Sequence, residues 1–368
     1  MLTVATGNKA VADAVRQAKP AVVAAYPITP QTEIVEQISN YVISGAMDAA
    51  YIPVESEHSA MAACIGASAT GARTFTATSS HGLVYMCEML HWAAGARLPV
   101  VMANVNRALG PGWNIWAEHT DSLSMRDTGW LQCYVSTVQE AYDTTLMAFR
   151  IAEHHNVLLP VMINLDGFTL SHSMQSLEIG DIGNFIPPLD LPHVIDTQNP
   201  GGYGTLTPPT EYFKFRWDIE RSMRDSRSVI EETQREFETR FGRKYGFYED
   251  YRCDDAEVVV VALGTLGKEA EVAVDQLRND GIRAGSIRIR WLRPFPDLDL
   301  SGYDVVVIDR DYSFGYGGIL AHELRAGRCG DVYSVIAGLG GQEVTYDDIK
   351  SFIRHRRPGE EFWFGVEE

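Results

Sequence analysis

Three polar side chains stand just past the ends of separate strand-like runs. They are Thr29 in Tyr26-Pro-Ile-Thr-Pro30, Glu57 in Pro53-Val-Glu-Ser-Glu-His58, and Arg107 in Asn104-Val-Asn-Arg107. In an open parallel sheet ligands bind outside the carboxyl ends of the strands, so a hydroxyl, a carboxyl and a guanidinium at those ends are placed to meet a polar ligand. Each also has a structural reading. Thr29 before Pro30 has the pattern of a helix N-cap with proline at the first helical position, and capping is the stronger of its two readings. Glu57 could do no more than complement a helix dipole. Arg107 could form an ion pair with Glu118 or Asp121. The segment Gly110-Pro-Gly-Trp-Asn-Ile-Trp-Ala-Glu-His-Thr-Asp121 shifts the balance, because it puts two tryptophans, an asparagine, a histidine and two acids into an aperiodic stretch beyond a strand end. Exposed tryptophans in a long loop are costly unless they close over a ligand or a partner subunit, so this segment is expected to be a lid or an interface loop.

Several other chemistries lose support. No GxGxxG follows a strand, no GxxxxGK[ST] occurs, and no HExxH appears, which argues against the usual nicotinamide fingerprint, P-loop and zincin classes. Gly66-Ala-Ser-Ala-Thr-Gly71 looks like a nucleophile elbow but has Thr70 where glycine is required, inside a helical stretch. Gly315-Tyr-Gly-Gly318 precedes a helix and could meet an anion, although a tight turn accounts for it at least as well. Cys64, Cys87, Cys133, Cys253 and Cys329 are spread singly, without a CxxC pair. They read as small buried apolar residues of a protein in a reducing cytoplasm, not as a disulfide framework or cluster ligands.

The elements that must position these residues follow from periodicity. Up to about residue 170, short β-rich runs alternate with helical patterns, the rhythm of βα units building a parallel sheet covered on both faces. Strands are expected at Ala21–Ala25, Ala50–Val54, Thr74–Thr78, Pro99–Asn104, Gln132–Ser136 and Leu158–Leu165. Helices are expected around Ile34, Ile38 and Val42, over Glu57–Ala72, and along Val138–Ala152. Six prolines and a glycine cluster between Ile186 and Pro209 mark an extended connector, followed by a charged helix over Arg221–Phe241. From Asp255 a second βα rhythm begins: strands Glu257–Leu263, Gly285–Ile289, Asp304–Ile308 and Asp331–Ile336, with helices Lys268–Asp280, Gly318–Ala326 and Thr345–Phe352. The chain therefore reads as an α/β domain over 1–185, a connector and charged helix over 186–250, and a smaller α/β domain over 251–368.

With 368 residues, 45% hydrophobic and 22% charged, the chain can bury a large core. Its net charge of −18 leaves no basic footprint for nucleic acid. Its longest apolar runs, Ala21–Ile28 and Val258–Gly264, fall short of the ~18–20 residues of a membrane span, and the opening residues have no signal-peptide pattern.

Tyr26-Pro-Ile-Thr-Pro-Gln-Thr-Glu33, Glu55-Ser-Glu-His-Ser-Ala-Met61, Asn106-Arg-Ala-Leu109, Asn114-Ile-Trp116 and Asp121-Ser122 resemble segments of the alpha subunit of 2-oxoacid:ferredoxin oxidoreductases. Further matches follow in the same order: Arg126–Trp130, Leu165–Phe168 with Ser171-His172, Arg290–Pro296, Asp309-Arg310 with Ser313–Gly315, and Gly338–Gly341. The resemblance spans nearly the whole chain and is weakest across the connector; within the family it is nearest to the pyruvate-type members. It implies a pyrimidine-type thiamine-diphosphate-binding domain joined to a transketolase C-terminal-like domain.

The resemblance also implies thiamine diphosphate with Mg2+, shared with a beta subunit that supplies the diphosphate domain. It places [4Fe-4S] clusters in companion chains (beta, gamma and delta subunits or equivalents), none of them bound by this chain. Coenzyme A is the cosubstrate and ferredoxin the electron acceptor. By motif position, Glu57 hydrogen-bonds the aminopyrimidine ring nitrogen and promotes the tautomer that activates the thiazolium. Thr29 and Arg107 match the positions that hold the substrate carboxylate. A branched-chain 2-oxoacid (2-oxoisovalerate) substrate stays open as the alternative, and a non-redox thiamine-dependent decarboxylase or transketolase-like chain is the rival from another class. An oxalate substrate is disfavoured, because a second arginine would be expected where Thr29 stands.

Overall fold

The computed structural model describes residues 1–201, 204–327 and 331–367. It is an α/β structure with two parallel-dominated sheets. The first part of the chain runs β1 (Leu2–Ala5), α1 (Gly7–Ala18), β2 (Val22–Ala25), α2 (Thr32–Ile43), β3 (Ala50–Pro53), α3 (Glu57–Ala69) and β4 (Thr74–Thr78). It continues with α4 (Ser80–Tyr85), α5 (Cys87–Gly95), β5 (Val101–Asn106), α6 (Thr120–Ser124), β6 (Leu131–Val135), α7 (Val138–Ala152), β7 (Val161–Asp166) and β8 (Gln175–Glu178). A long α8 (Pro209–Phe241) leads to β9 (Tyr248–Tyr251), β10 (Val258–Leu263), α9 (Leu266–Asn279), β11 (Ala284–Ile289) and β12 (Trp291–Arg293). The chain closes with β13 (Asp304–Asp309), α10 (Ile319–Ala326), β14 (Val332–Ile336), α11 (Tyr346–Arg354) and β15 (Glu361–Trp363).

The first sheet has the order β12-β6-β7-β5-β4-β2-β3. Its strands are parallel except for β12, which pairs antiparallel with β6 and comes from the later part of the chain. Every residue of β4, β5, β6 and β7 is buried, as a sheet covered on both faces requires. One face packs on α1, α2 and α7 through Val11, Val15, Ile34, Ile38, Leu146 and Phe149. The other packs on α3 and α5 through Ala60, Met61, Cys64, Leu90 and Ala93, and the small side chains of α3 let it lie close to the sheet. The strand order turns back at β2, which sits between β3 and β4. Such a reversal is the switch point at whose carboxyl ends open parallel sheets place their ligands.

The second sheet has the order β15-β14-β13-β10-β11-β9, parallel except for β9. It is covered by α10 on one face and by α9 and α11 on the other. The charged helix α8 starts at Pro209, twelve residues before its charge periodicity predicts, with proline at its first position. Its first turns carry exposed Tyr212, Phe213, Phe215 and Trp217, and only from Ile219 onward does one face turn inward. A buried ion cluster ties the two sheets together. Glu140 on α7 pairs with Arg290, and with Arg288 at 3.1 Å, while accepting from the Ser136 amide at 2.8 Å. The two guanidinium groups outweigh burial and hold the Glu140 carboxyl down at about 2. Among the described residues no helix is long and apolar enough to cross a membrane.

Candidate functional site

Arg107 is the first residue after β5 and is only 3% exposed. Its Nη1 donates to the Thr29 carbonyl at 2.8 Å and its Nε to the Asn114 carbonyl at 3.1 Å. The exposed Trp113 ring lies 5.2 Å from the guanidinium carbon, within cation–π range. Two of the three guanidinium nitrogens are thus fixed, and Nη2 makes no hydrogen bond among the described residues. Burial lowers the pKa of the group, with Asp121 acting in the opposite sense. The ion pair with Glu118 or Asp121 that sequence allows does not form. Asp121 instead accepts from the Arg107 backbone N–H at 3.1 Å, and Glu118 accepts from the Gly340 N–H at 2.9 Å.

Thr29 does not cap α2. The helix begins at Thr32 with Gln31 at its cap position, because two side-chain amides hold the preceding loop out of helical conformation. Asn8 Nδ2 donates to the Pro30 carbonyl at 2.9 Å, and Gln31 Nε2 to the Tyr26 carbonyl at 2.8 Å. Thr29 is exposed, and its hydroxyl has no partner among the described residues while its carbonyl braces Arg107.

Glu57 opens α3 directly after the Ser56 N-cap, and it is 7% exposed. Its carboxyl has no hydrogen bond or ion pair among the described residues. It lies against the turn after β4, where a Cβ added to Gly82 would stand 2.6 Å from both Glu57 Oε1 and Thr78 Oγ1. That close approach explains the glycine. The Thr78 hydroxyl is itself buried without a partner. Ser80, at φ +51°, turns the chain there, its N–H donating to Asp121 at 3.0 Å. Next to it, His81 Nε2 accepts from the Gly110 N–H at 3.0 Å. Ser80 Oγ donates to the Ala108 carbonyl at 2.6 Å and lies 3.2 Å from His81 Nδ1. The turn holding Glu57 is thereby tied to the loop holding Arg107. Strand-end reasoning passes over Ser79–Gly82, although their position directly after Thr74–Thr78 was a signal in the sequence.

Asp121 is the hub of this edge. Fully buried, it accepts from the amides of Ser80, Arg107 and Ser122 and from the side chains of Asn104 and Asn106. Burial raises its pKa despite these donors. Beside it, buried Asp166 at the end of β7 meets His119 at 2.5 Å, the Thr265 N–H at 2.7 Å and Arg310 at 3.4 Å. Burial alone would raise the Asp166 carboxyl, but His119 and Arg310 outweigh it and hold it well below the usual range. Within the segment 110–121, residues from Asn114 onward are tied to the second domain, through Asn114, Ala117, Glu118 and His119, while Pro111–Trp113 stay exposed. Trp116 packs one side on Phe168 at 4.6 Å but stays 50% exposed, and Trp113 is 84% exposed, as an interface or lid loop would leave them.

The remaining resemblance motifs serve the framework. Trp130 is buried with Nε1 donating to the Leu90 carbonyl at 2.9 Å. Gly167 lies where a Cβ would be 2.5 Å from the Asn106 carbonyl. The N-terminus of α10, after Gly315–Gly318, already faces two buried carboxylates of this chain: Ile319 N–H donates to Asp311 at 3.0 Å and Leu320 N–H to Asp309 at 2.8 Å. No external anion is needed there. Cys64 and Cys133 are buried thiols pushed up to about 12 by desolvation, and Cys253 is buried as well. Cys87 is half-buried, and Cys329 lies outside the described residues. Among the described residues no group of three His, Cys, Asp or Glu side chains could hold a metal ion.

The fold, a mostly parallel sheet joined to a second α/β domain, is shared with two solved structures. One is the 2-oxoglutarate:ferredoxin oxidoreductase from Magnetococcus marinus, with a TM-score of 0.76 and 21% identity over 96% of this chain and 65% of that one. The other is a split-gene transketolase, with a TM-score of 0.58, 14% identity, and 95% and 97% of the two chains covered. The class is that of thiamine-diphosphate-binding oxidoreductases: residues 13–235 match the family described as pyruvate flavodoxin/ferredoxin oxidoreductase, thiamine diphosphate-binding. Residues 256–349 match pyruvate:ferredoxin oxidoreductase core domain II. The pyruvate synthase subunit PorA of Methanothermobacter thermautotrophicus is 43% identical over 100% of this chain and 99% of its own. The ketoisovalerate oxidoreductase subunit VorA of Pyrococcus abyssi is 47% identical over 95% and 91%. The chain belongs to the pyruvate flavodoxin/ferredoxin oxidoreductase family.

Proposed function

We propose that this chain is the alpha subunit of a pyruvate:ferredoxin oxidoreductase. With companion subunits it decarboxylates pyruvate, transfers the acetyl group to coenzyme A and passes the released electron pair to ferredoxin, and it runs in reverse as a pyruvate synthase. The observation that carries the reading is the pairing of an unpartnered buried carboxyl, Glu57, with a braced arginine, Arg107, at one sheet edge. The residues fit thiamine diphosphate on this side: Glu57 and the orphaned Thr78 hydroxyl offer hydrogen bonds to a polar heterocycle edge, and Gly82 lets the backbone pack directly against both. The cofactor supplies a carbanion at the thiazolium carbon and an electron sink.

The other steps fall to the protein. Glu57 would hold a shared proton against the ring nitrogen of the aminopyrimidine and so orient that ring for activation of the cofactor. Arg107 takes the substrate carboxylate through its free edge, and the Thr29 hydroxyl donates a second bond, so the carboxylate is held where it leaves as CO2. In this reading Mg2+ and the diphosphate fall to a beta subunit and the [4Fe-4S] clusters to companion chains. The higher identity to the VorA chain keeps 2-oxoisovalerate as the second reading of the same site.

The test is Glu57→Gln in the anaerobically purified complex. The amide keeps the shape but cannot share the proton, and a lost acid–base partner costs about 10²- to 10⁴-fold. A kcat at least about 100-fold lower is expected, with thiamine diphosphate still bound. An unchanged kcat would overturn the assignment of Glu57.

A further inference from the structure

The brace on Arg107 extends beyond its own domain. Arg107 Nε is fixed by the carbonyl of Asn114, and Asn114 is fixed by the second domain. Its Nδ2 donates to the Gly340 carbonyl at 2.9 Å, and its Oδ1 accepts the Trp116 N–H at 2.7 Å. The turn at 338–341 returns two further bonds, from Gly340 N–H to Glu118 at 2.9 Å and from Gly341 N–H to the Ala117 carbonyl at 3.0 Å. Gly340 and Gly341 have φ of +58° and +78°, a conformation L side chains rarely adopt. A Cβ on Gly340 would stand 2.7 Å from Asn114 Nδ2, and one on Gly341 would collide with Trp116 Cβ. A glycine turn 226 positions away in sequence is thus pressed against the loop that orients the arginine.

We propose that Asn114 and the Gly340 turn are positioning elements that set affinity for the 2-oxoacid, making the second domain a determinant of substrate binding. The inference rests on Arg107 as the carboxylate holder. Asn114 spans the junction: its side-chain Nδ2 donates to the second domain while its backbone carbonyl accepts from the guanidinium. Freed from Gly340, the loop retains the Trp116 and Ala108 backbone contacts, but the acceptor facing Arg107 Nε loses its fixed position. Chemistry at the cofactor does not pass through this contact, so the effect belongs to substrate affinity.

The experiment uses the whole complex with Asn114→Asp, which keeps the shape and puts a carboxylate oxygen against the Gly340 carbonyl, and with Gly340→Ala, which presses on the same contact from the other side. The KM for the 2-oxoacid should rise about 3- to 10-fold in each, the scale of one hydrogen bond. The kcat should stay within about twofold of the parent, and the KM for coenzyme A should not change. In an Arg107→Ala background neither substitution should raise KM further. If Arg107→Ala alone raises KM while both test variants leave it unchanged, the inference fails and the site reading survives. If Asn114→Asp raises KM by the same factor with or without Arg107, the inference also fails. If Arg107→Ala leaves KM unchanged, the site reading falls and takes the inference with it. A uniform loss of kcat in both test variants would mark a merely structural contact and overturn the proposal.

Discussion

On the proposed role of Arg107, replacing it by alanine removes one charged partner from the 2-oxoacid carboxylate while leaving Glu57 and its turn in place. The structure sets the scale. Nε and Nη1 are committed to the carbonyls of Asn114 and Thr29, so the substrate meets one remaining edge of a guanidinium that is already oriented. A hydrogen bond to a charged group contributes about 1.5–3 kcal/mol, which converts to about 10- to 150-fold in affinity. Because the carboxylate is charged in the bound substrate before it leaves, most of that loss is uniform binding and belongs in KM. Arg107→Lys restores the charge without the fork that fits two carbonyls and a carboxylate together, so it should recover only part of the loss. The assay is steady-state, coenzyme A-dependent viologen reduction by the anaerobic complex over a range of pyruvate concentrations. Thiamine diphosphate content is checked for each variant. A KM within twofold of the parent for Arg107→Ala would refute the reasoning. So would a kcat that falls by the full factor at unchanged KM.

Other outcomes follow from the same geometry. Gly82→Ala places a Cβ 2.6 Å from Glu57 Oε1, and a displacement near 1 Å at a reacting group should lower kcat by about 10- to 100-fold with little change in pyruvate KM; an unaltered kcat would show that Glu57 is not held by this turn. Glu140→Gln should destabilise the chain. A carboxyl held at about 2 instead of its ordinary 4.5 contributes about 3 kcal/mol, or about 4 °C of melting temperature for a chain of this length. Since that pKa is depressed, the contribution is present above about pH 4.5 and is lost as pH falls toward 2, so parent and variant melting curves should converge in acid. The Asp309–Asp311 pair has the opposite sign. Burial raises Asp309 to about 6, the folded state binds the extra proton, and stability falls as pH rises from about 4 to about 6. Asp309→Asn should flatten that slope in a melting series from pH 4 to pH 8, and an unchanged slope would count against a buried shared proton.

What the sequence disclosed depends on how local each signal is. The core strands of both sheets lie where apolar runs and β-branched residues place them, within a residue or two at most ends, because strands buried on both faces must be continuously apolar. Helix α1 escaped notice because its inward face includes Asn8 and Asp13, buried and tied to Pro30 and to Lys9 and Tyr41. The start of α8 was obscured by aromatic residues on several faces of its first turns, which carry no period. The edge strands β1, β8, β9, β12 and β15 are three or four residues long and exist only because of distant partners. At the candidate site, strand-end logic leads to Thr29, Glu57 and Arg107, and capping preferences mislead it about Thr29 because Asn8 and Gln31 overrule them. The link from Arg107 through Asn114 to Gly340 joins residues more than 200 positions apart, and no local pattern reports a contact of that kind.

The most direct test of the central claim is made on the complex isolated through this chain under strict anaerobiosis. Coenzyme A-dependent viologen reduction would be measured in parallel with pyruvate, 2-oxoisovalerate, 2-oxoglutarate and oxalate. The expected result is turnover with the highest kcat/KM for pyruvate, abolished by Glu57→Gln. A preference for 2-oxoisovalerate would keep the fold and site and replace the substrate. No turnover from an intact, cluster-bearing complex with any of the four would contradict the assigned function.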